Sequence, residues 1–522
     1  MTIMEMLERN SRVYPEEVSL IERAPEMYLR REISWYDFEA MSNQFAQALI
    51  SKGVKKGDRV ALIMFNCLEW LPVYFGILKT GALAVPLNFR YTPLEIKNCL
   101  NTAAAKMLVF GPEFTEAVAE IKDQVPTLEA LWFVGEGTIP ENTVSFKKAI
   151  TGQSKTKPEI GITDADPAAL YFTSGTTGVP KSILLTHANL VSAAITENRH
   201  HLQSHEDNFL CIPPLYHTGA KMHWLGSLIV GGKAVLLKGV KPEWILEAVS
   251  EEKVTIVWLL VPWAQDILDA LDSGQIDARP LELKQWRLMH IGAQPVPPAL
   301  INRWRAHFPH QLYDTNYGLS EATGPGCIHL GTENQHKVGA IGKPGFNWEA
   351  IIVDEQDNEV KTGMVGELLV RGPGVMQAYF NNPEATEQVL KHGWLYTGDM
   401  AKKDRDGFIF LVDRKKDVVI SGGENIYPVE IEDFLRSNVN IKDSAVIGMP
   451  HPRLGEIPIA IVELKPECIL SEQAVLDFCS QLPRYKRPRH VFFDQVPRNP
   501  TGKIEKPRLR VKYFPERIEV VI

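Results

Sequence analysis

The segment Tyr171-Phe-Thr-Ser-Gly-Thr-Thr-Gly-Val-Pro-Lys181 gathers four hydroxyls, two glycines and a lysine directly after an apolar run. Thr173, Ser174, Thr176 and Thr177 can donate to phosphate oxygens, Gly175 and Gly178 let the backbone pass close to an anion, and Lys181 adds positive charge. The spacing is not that of a Walker P-loop, which needs four residues between its glycines and a lysine directly after the second. Two residues separate Gly175 from Gly178, and Lys181 follows three positions later. An ordinary Ser/Thr/Gly turn seldom combines these residue types after a strand, so the loop reads as a nucleotide phosphate cradle of another kind.

Such a loop needs a sheet to hold it. At 522 residues and 45% apolar content, the chain supports more than one core. Between about Val18 and Leu260, short apolar strands such as 59–64 and 106–110 alternate with helical patterns such as 35–52, the rhythm of parallel α/β sheets. From Gly339 to about Gly393 the texture changes. The strand-like runs 349–354 and 367–371, set between Asp/Asn/Gly turns, suggest a smaller β-rich unit. Another strand, 408–413, runs into the charged Arg414-Lys-Lys-Asp417, a break suited to a hinge. The expected class is α/β: a large N-terminal domain of parallel sheets with a small β-rich subdomain over 1–415, then a mobile small α+β domain over 416–522.

A net charge of −8 argues against nucleic-acid binding by the chain as a whole. Cys67, Cys99, Cys211, Cys327, Cys468 and Cys479 are scattered without a CxxC pair, as expected of reduced thiols in a cytoplasmic protein. The N-terminus is too acidic and too interrupted for a signal peptide, and the best apolar run, 219–240, is broken by Lys221, His223, Lys233 and Lys238. Between Arg484 and Lys512, ten Lys/Arg face only Asp494 and Glu505, which suggests a solvated face or a site for a polyphosphorylated small ligand. His201 and His205, beside His200, have the i, i+4 spacing of a helical zinc pair. No nearby cysteine completes a site, and a surface cluster is the expectation.

Five further segments join the opening loop: Pro214-Leu-Tyr-His217, Tyr317-Gly-Leu-Ser-Glu321, Tyr396-Thr-Gly-Asp399, Asp413-Arg-Lys-Lys-Asp417 followed by Ser421-Gly-Gly-Glu-Asn425, and Asn499-Pro-Thr-Gly-Lys503. In order and spacing, and over nearly the whole chain, they resemble the acyl-CoA synthetases of the adenylate-forming superfamily, which also holds beetle luciferases and peptide-synthetase adenylation domains. The chemistry that resemblance implies begins with activation. A carboxylic acid lacks a good leaving group, so AMP is transferred to it first, and CoA then displaces AMP.

The resemblance implies roles residue by residue. Tyr317, beside Gly318, would stack on adenine, with the backbone of Gly292, Ala293 and Gln294 on the other face. The 173–181 loop would hold phosphates, Glu321 with Thr173 would hold Mg²⁺, and Ser320, standing where threonine is usual, would touch phosphate. Asp399 and Arg414 would bind ribose. Lys503 would bridge the carboxylate and the α-phosphate during adenylation. His217 would belong to a gate near the thiol path. CoA would meet Tyr485 and Arg487, with Arg90 adding charge. Lys416 would be the pivot of a domain swing that brings the Ser421–Tyr427 segment to the acyl-AMP. Each side chain taken singly also has an ordinary reading: a turn aspartate at 399, a helix-start carboxylate at 321, a solvated lysine at 503.

The function expected is ATP-dependent conversion of a carboxylic acid to acyl-AMP and then acyl-CoA. The segment 216–224 and the surroundings of Gly292 and Gly318 are expected to line a pocket for an apolar medium-chain, aromatic or alicyclic acid. Reverse operation towards ATP, transfer to a carrier protein and a luciferase-like oxygenase remain open alternatives. The gate lacks the aspartate typical of amino-acid activators, which favours a stand-alone ligase. Expected partners are the acid, ATP and CoA, with a homodimer as a candidate assembly and neither nucleic acid nor a transmembrane segment.

Overall fold

The computed structural model describes residues 1–173, 181–292, 296–498 and 504–514. Ser174, Gly175, Thr176, Thr177, Gly178, Ala293, Gln294 and Lys503 therefore lie outside the described residues. The chain divides into two compact units. One is Met1–Gly292, Val296–Ala350 and Val370–Leu395, and the other is chiefly Ile351–Leu369 and the chain from Tyr396 onward.

Short apolar runs build the first unit. Met107–Phe110, Arg59–Ile63, Leu83–Pro86 and Pro167–Thr173 pair in parallel, as Ala130–Phe133 does on the far side of Met107–Phe110. These strands read as continuous apolar runs because both their faces are covered. Beyond Pro167–Thr173 the sheet turns antiparallel, through Lys181–Thr186 and the short Ala378–Tyr379. A seven-stranded sheet runs in the order Leu312–Asp314, Leu288–Gly292, Ile256–Leu260, Asn208–Cys211, Lys233–Leu237, Val18–Ala24, Leu29–Ser34. Only its last pairing is antiparallel. The strands Asn316–Leu319, Gly324–His329 and Lys343–Pro344 form a small antiparallel sheet.

In the second unit, the hairpin Ile441–His451/Gly455–Leu464 feeds two cores by the two-residue period of a strand. Val446, Ala460 and Val462 pack under the helix Pro428–Arg436 through Ile431 and Leu435. Ala445, Ile447, Ile459 and Ile461 face the other way, against Leu509 of the helix Lys506–Tyr513. The expected α/β class, with a large N-terminal part and a smaller C-terminal one, is the class observed. No described helix is long and apolar enough to cross a membrane.

The helices Trp35–Ser51 and Trp70–Lys79 are joined by a buried charge. Lys79 is 2% exposed, and its ammonium donates to Glu39 Oε2 at 2.6 Å, Ser42 Oγ at 2.7 Å and Asn43 Oδ1 at 2.7 Å. Its three protons are thus used. Burial pulls the lysine down to about 8, against the Glu39 carboxylate. Removing one partner strands the other in an apolar interior, a loss of about 3–5 kcal/mol. Lys79→Met should show that loss in chemical denaturation, and Lys79→Met with Glu39→Leu should recover most of it. Equal losses in the single and double variants would reject the pairing as the cause.

Candidate active site

Antiparallel pairing fixes Thr173 and Lys181, the two ends of the segment expected to hold phosphates. Thr173 ends one strand and Lys181 begins the next, and the two residues stand opposite each other in the register. Lys181 projects its ammonium to 4.8 Å from the ring centroid of Tyr379. The phenol of Tyr379 donates to Glu321 Oε1 at 2.9 Å, so Tyr379 contacts both the lysine and the carboxylate. Burial pushes this phenol well above its ordinary range, and the neighbouring carboxylate adds to the effect. The hydroxyl therefore stays protonated and remains a donor to Glu321.

Glu321 sits in the short turn Ser320–Ala322, whose backbone is pinned where the Met376 N–H donates to the Glu321 carbonyl at 2.7 Å. The Ser320 hydroxyl lies 3.2 Å from that of Thr218, the first residue of the helix Thr218–Val230. His217 caps this helix: its Nδ1 accepts the Gly219 N–H at 3.2 Å. With Nδ1 as acceptor, a neutral ring carries its proton on Nε2.

Helical periodicity divides the expected pocket segment 216–224. Met222 and Gly219 border Gly324, where an added Cβ would lie 3.0 Å from Met222 Cγ and 3.3 Å from the Gly219 nitrogen. Gly324 also has φ +79°, so a bare residue is needed there on both counts. Trp224 instead packs with Phe38 and Phe75, at 6.3 Å and 6.2 Å between rings. Lys221 is fully buried against Tyr74, Tyr171 and Trp70. These two belong to the helix's core face, which corrects the expectation that the whole segment lines a pocket. Tyr317 is buried in the strand Asn316–Leu319, which also carries Gly318. Gly292 ends its own strand, and a Cβ there would sit 3.7 Å from both Asn316 Oδ1 and Trp258 Nε1. Arg90 is exposed, with its backbone N–H held by Asn88 Oδ1 at 2.9 Å.

In the second unit, Asp399 and Arg414 are direct cross-strand neighbours. Arg414 Nε is 2.7 Å from Asp399 Oδ1, and Asp399 is 4% exposed. Lys415 pairs with Glu367 Oε2 at 2.7 Å, while Glu367 Oε1 accepts the Gly398 N–H at 3.1 Å. Arg498 is gripped by both oxygens of Asp443, at 2.6 Å and 2.9 Å, and forms a bridge with Ile504. Lys503 itself is outside the described residues. Tyr485 is exposed, and Arg487 Nε donates to the Leu482 carbonyl at 2.8 Å.

Much of the basic run is internally neutralised. Lys486 meets Glu430, Arg508 meets Glu505, Arg510 meets Asp417, and Lys512 meets Asp494. Lys506 is buried 2.8 Å from Glu432. Carboxylates from outside the run, Asp417, Glu430, Glu432 and Asp443, thus take four of its cations, about half of the charge excess counted along the sequence.

The three histidines are not the surface cluster expected. The helix ends at His201, where Leu202 turns left-handed with φ 49°, so His205 lies off the helix and stacks on Tyr14 with ring centroids 3.9 Å apart. His201 is completely buried, 3.0 Å from Asp314 Oδ2 and 3.0 Å from His290 Nδ1. Sequence reasoning missed Asp314, His290 and Tyr379. Their partners lie 113, 89 and 58 residues away along the chain, beyond any local pattern.

Residues 7–380 match the family model for the AMP-binding enzyme, and residues 430–503 match the AMP-binding enzyme C-terminal domain. The chain is 32% identical over 489 residues to a putative acyl–CoA ligase of Bacillus subtilis strain 168, covering 92% of this chain and 93% of that protein. It is 32% identical over 478 residues to a feruloyl-CoA synthase of Amycolatopsis, covering 90% and 92%. Among solved structures, an anthranilate CoA ligase in complex with anthranoyl-AMP superposes with a TM-score of 0.89 at 28% identity, covering 98% of this chain and 97% of that one. The motifs, the fold and both family matches agree, and the chain belongs to the AMP-binding enzyme family.

Proposed function

We propose that the acid activated by this chain is apolar, of the medium-chain, aromatic or alicyclic type, and that the residues singled out in the motifs carry the two half-reactions. The chain is an AMP-forming acid–CoA ligase that uses ATP and CoA. A carboxylate oxygen attacks the α-phosphorus, the bond to the β-phosphate oxygen breaks, and pyrophosphate leaves. The CoA thiol, losing its proton, then attacks the acyl carbon, and the bond to AMP breaks.

Lys503 bridges the attacking carboxylate and the α-phosphate, where negative charge redistributes in the transition state. The 173–181 loop holds the β- and γ-phosphates, with Lys181 as supporting charge. Tyr317 stacks on adenine against Gly292, Ala293 and Gln294, while Asp399 and Arg414 take the ribose. Glu321 and Thr173 offer the hard oxygen donors that suit Mg²⁺, which when bound would offset phosphate charge. Tyr379, donating to one carboxylate oxygen, fixes the direction of the other. His217 gates the thiol path, and Tyr485, Arg487 and Arg90 receive CoA. The swing about Lys416 belongs to the same reading, as does a cytoplasmic setting, in keeping with Cys67, Cys99, Cys211, Cys468 and Cys479 as free thiols.

The observation that carries the acid assignment is the wall around Trp258. A Cβ on Gly219 would meet its indole at 3.2 Å and one on Gly292 at 3.7 Å, with Met222 on the same helix face as Gly219. Both glycines pack directly against the indole, whose ring also stacks on His223 with centroids 4.6 Å apart, so the wall is close-packed and largely apolar, which suits an apolar group. Relatives named for feruloyl and long-chain fatty acids, and a structure with anthranoyl-AMP, lie on either side of this choice.

Acid-dependent pyrophosphate release across a panel should give the highest kcat/KM for benzoate-like, alicyclic or medium-chain acids, and a preference for acetate would sink the assignment. Lys503→Ala should slow acyl-AMP formation about 100-fold or more while sparing CoA transfer from supplied acyl-AMP. Equal losses in both half-reactions would reject both its role and the swing. Tyr379→Phe keeps the ring beside Lys181 and removes the donor to Glu321. It should raise the Mg²⁺ needed for half-maximal rate about tenfold, and an unchanged Mg²⁺ dependence would separate Tyr379 from the metal site.

A further inference from the structure

Apart from the nucleotide residues, the first unit buries a group of imidazoles and carboxylates at the junction of a helix and three strands. His201 ends the helix His187–His201, with Glu197 one turn before it. His290 and Asp314 are register partners on adjacent parallel strands, and His329 ends the strand Gly324–His329. Three ring or carboxylate atoms converge, with His290 beside them. His201 Nε2 is 3.0 Å from Asp314 Oδ2 and 3.0 Å from His290 Nδ1. His290 Nδ1 and His329 Nδ1 each lie 3.7 Å from Asp314 Oδ2. Donor atoms of His201, Asp314 and His329 all fall within 4.8 Å of one another. Tetrahedral zinc, with bonds near 2.0–2.1 Å to nitrogen, sets its ligands about 3.3 Å apart, and His201 Nε2 and His329 Nδ1, at 3.0 Å and 3.7 Å from Asp314 Oδ2, bracket that value.

Hydrogen bonding alone leaves this group poorly satisfied. His329 is 3% exposed, yet neither of its ring nitrogens has a hydrogen-bond partner, a costly state for a buried polar side chain. The outer partners have the pattern that orients metal ligands. Glu197 Oε2 lies 3.0 Å from His201 Nδ1, and Glu197 Oε1 lies 3.6 Å from His329 Nε2. His223 Nε2 is 2.9 Å from His290 Nε2. Asp314 Oδ1 accepts the Gly331 N–H at 2.9 Å, which aims Oδ2 at the histidines. Two carboxylates and neutral imidazoles balance one divalent ion.

We propose that His201, Asp314 and His329 form a buried three-ligand site for a divalent transition ion, zinc by ligand type, distinct from the Mg²⁺ expected at Glu321, with His290 standing beside His201. The ion pins the helix to strands that carry Gly292 two residues after His290, and to the chain that reaches Tyr317 three residues after Asp314. Its role is structural: it holds the adenine-facing backbone in place.

The test is metal analysis of the full chain, expressed with added zinc, desalted and measured by mass spectrometry. About one zinc per chain is expected, and cobalt supplied in its place should give the visible absorption of a tetrahedral ion. His329→Gln should lower the zinc content at least tenfold. Wild-type protein that stays at background zinc after incubation with micromolar zinc chloride, with a melting temperature moved by neither zinc nor chelator, would overturn the site and leave an ion network with an extra proton on His201. Full zinc content in folded His329→Gln would also overturn it. If that variant fails to fold, the wild-type stoichiometry and cobalt spectrum decide alone.

Discussion

Parallel pairing is the constraint on which the placement of the chemistry depends. Strands that run the same way deliver their carboxyl ends to the same edge of a sheet, and in open α/β sheets that edge is where ligands are met. Gly292 closes one such strand, and His217 follows another, Asn208–Cys211. In the neighbouring sheet Thr173 closes the strand Pro167–Thr173. The antiparallel return at Lys181 then brings the lysine back opposite Thr173 instead of carrying it away. Residues far apart in sequence acquire a shared site because backbone hydrogen bonds fix where each strand stops.

The second unit solves a different problem by a different pairing. Asp399 and Arg414 are far enough apart in sequence to need a hairpin, and the antiparallel ladder sets them side by side. The charge between them is mutual, so each holds the other's rotamer. The basic run further along follows the same principle. Its lysines and arginines reach carboxylates on other elements, and Asp417, Glu430, Glu432 and Asp494 each take one.

Legibility followed sequence distance. The strands Arg59–Ile63 and Met107–Phe110 and the helix Trp35–Ser51 were readable because a continuous apolar run and a 3.6-residue pattern are local signals. The ends of the phosphate loop were readable for the same reason, and the six segments gave the family. Tyr379 was not readable, since a lone tyrosine has no marker until Ala378–Tyr379 pairs with Lys181–Thr186 and turns it towards Glu321. The histidines misled because i, i+4 spacing presupposes an unbroken helix, and Leu202 breaks it. The segment 216–224 misled because helix residues two positions apart point nearly opposite ways. Trp224 and Met222, two positions apart, ended in different environments.

The two-faced hairpin of the second unit has a consequence for how that unit assembles. Its strands are joined by only a few residues, from His451 to Gly455, so it closes a small loop and can form early in folding. Val446 and Ile447 are neighbours in sequence, yet one awaits Pro428–Arg436 and the other awaits Lys506–Tyr513. A ribosome releasing this chain completes the first covering long before the second. Until the final helix emerges, the hairpin holds one apolar face open, and it is in that interval that the nascent unit is most exposed to wrong partners.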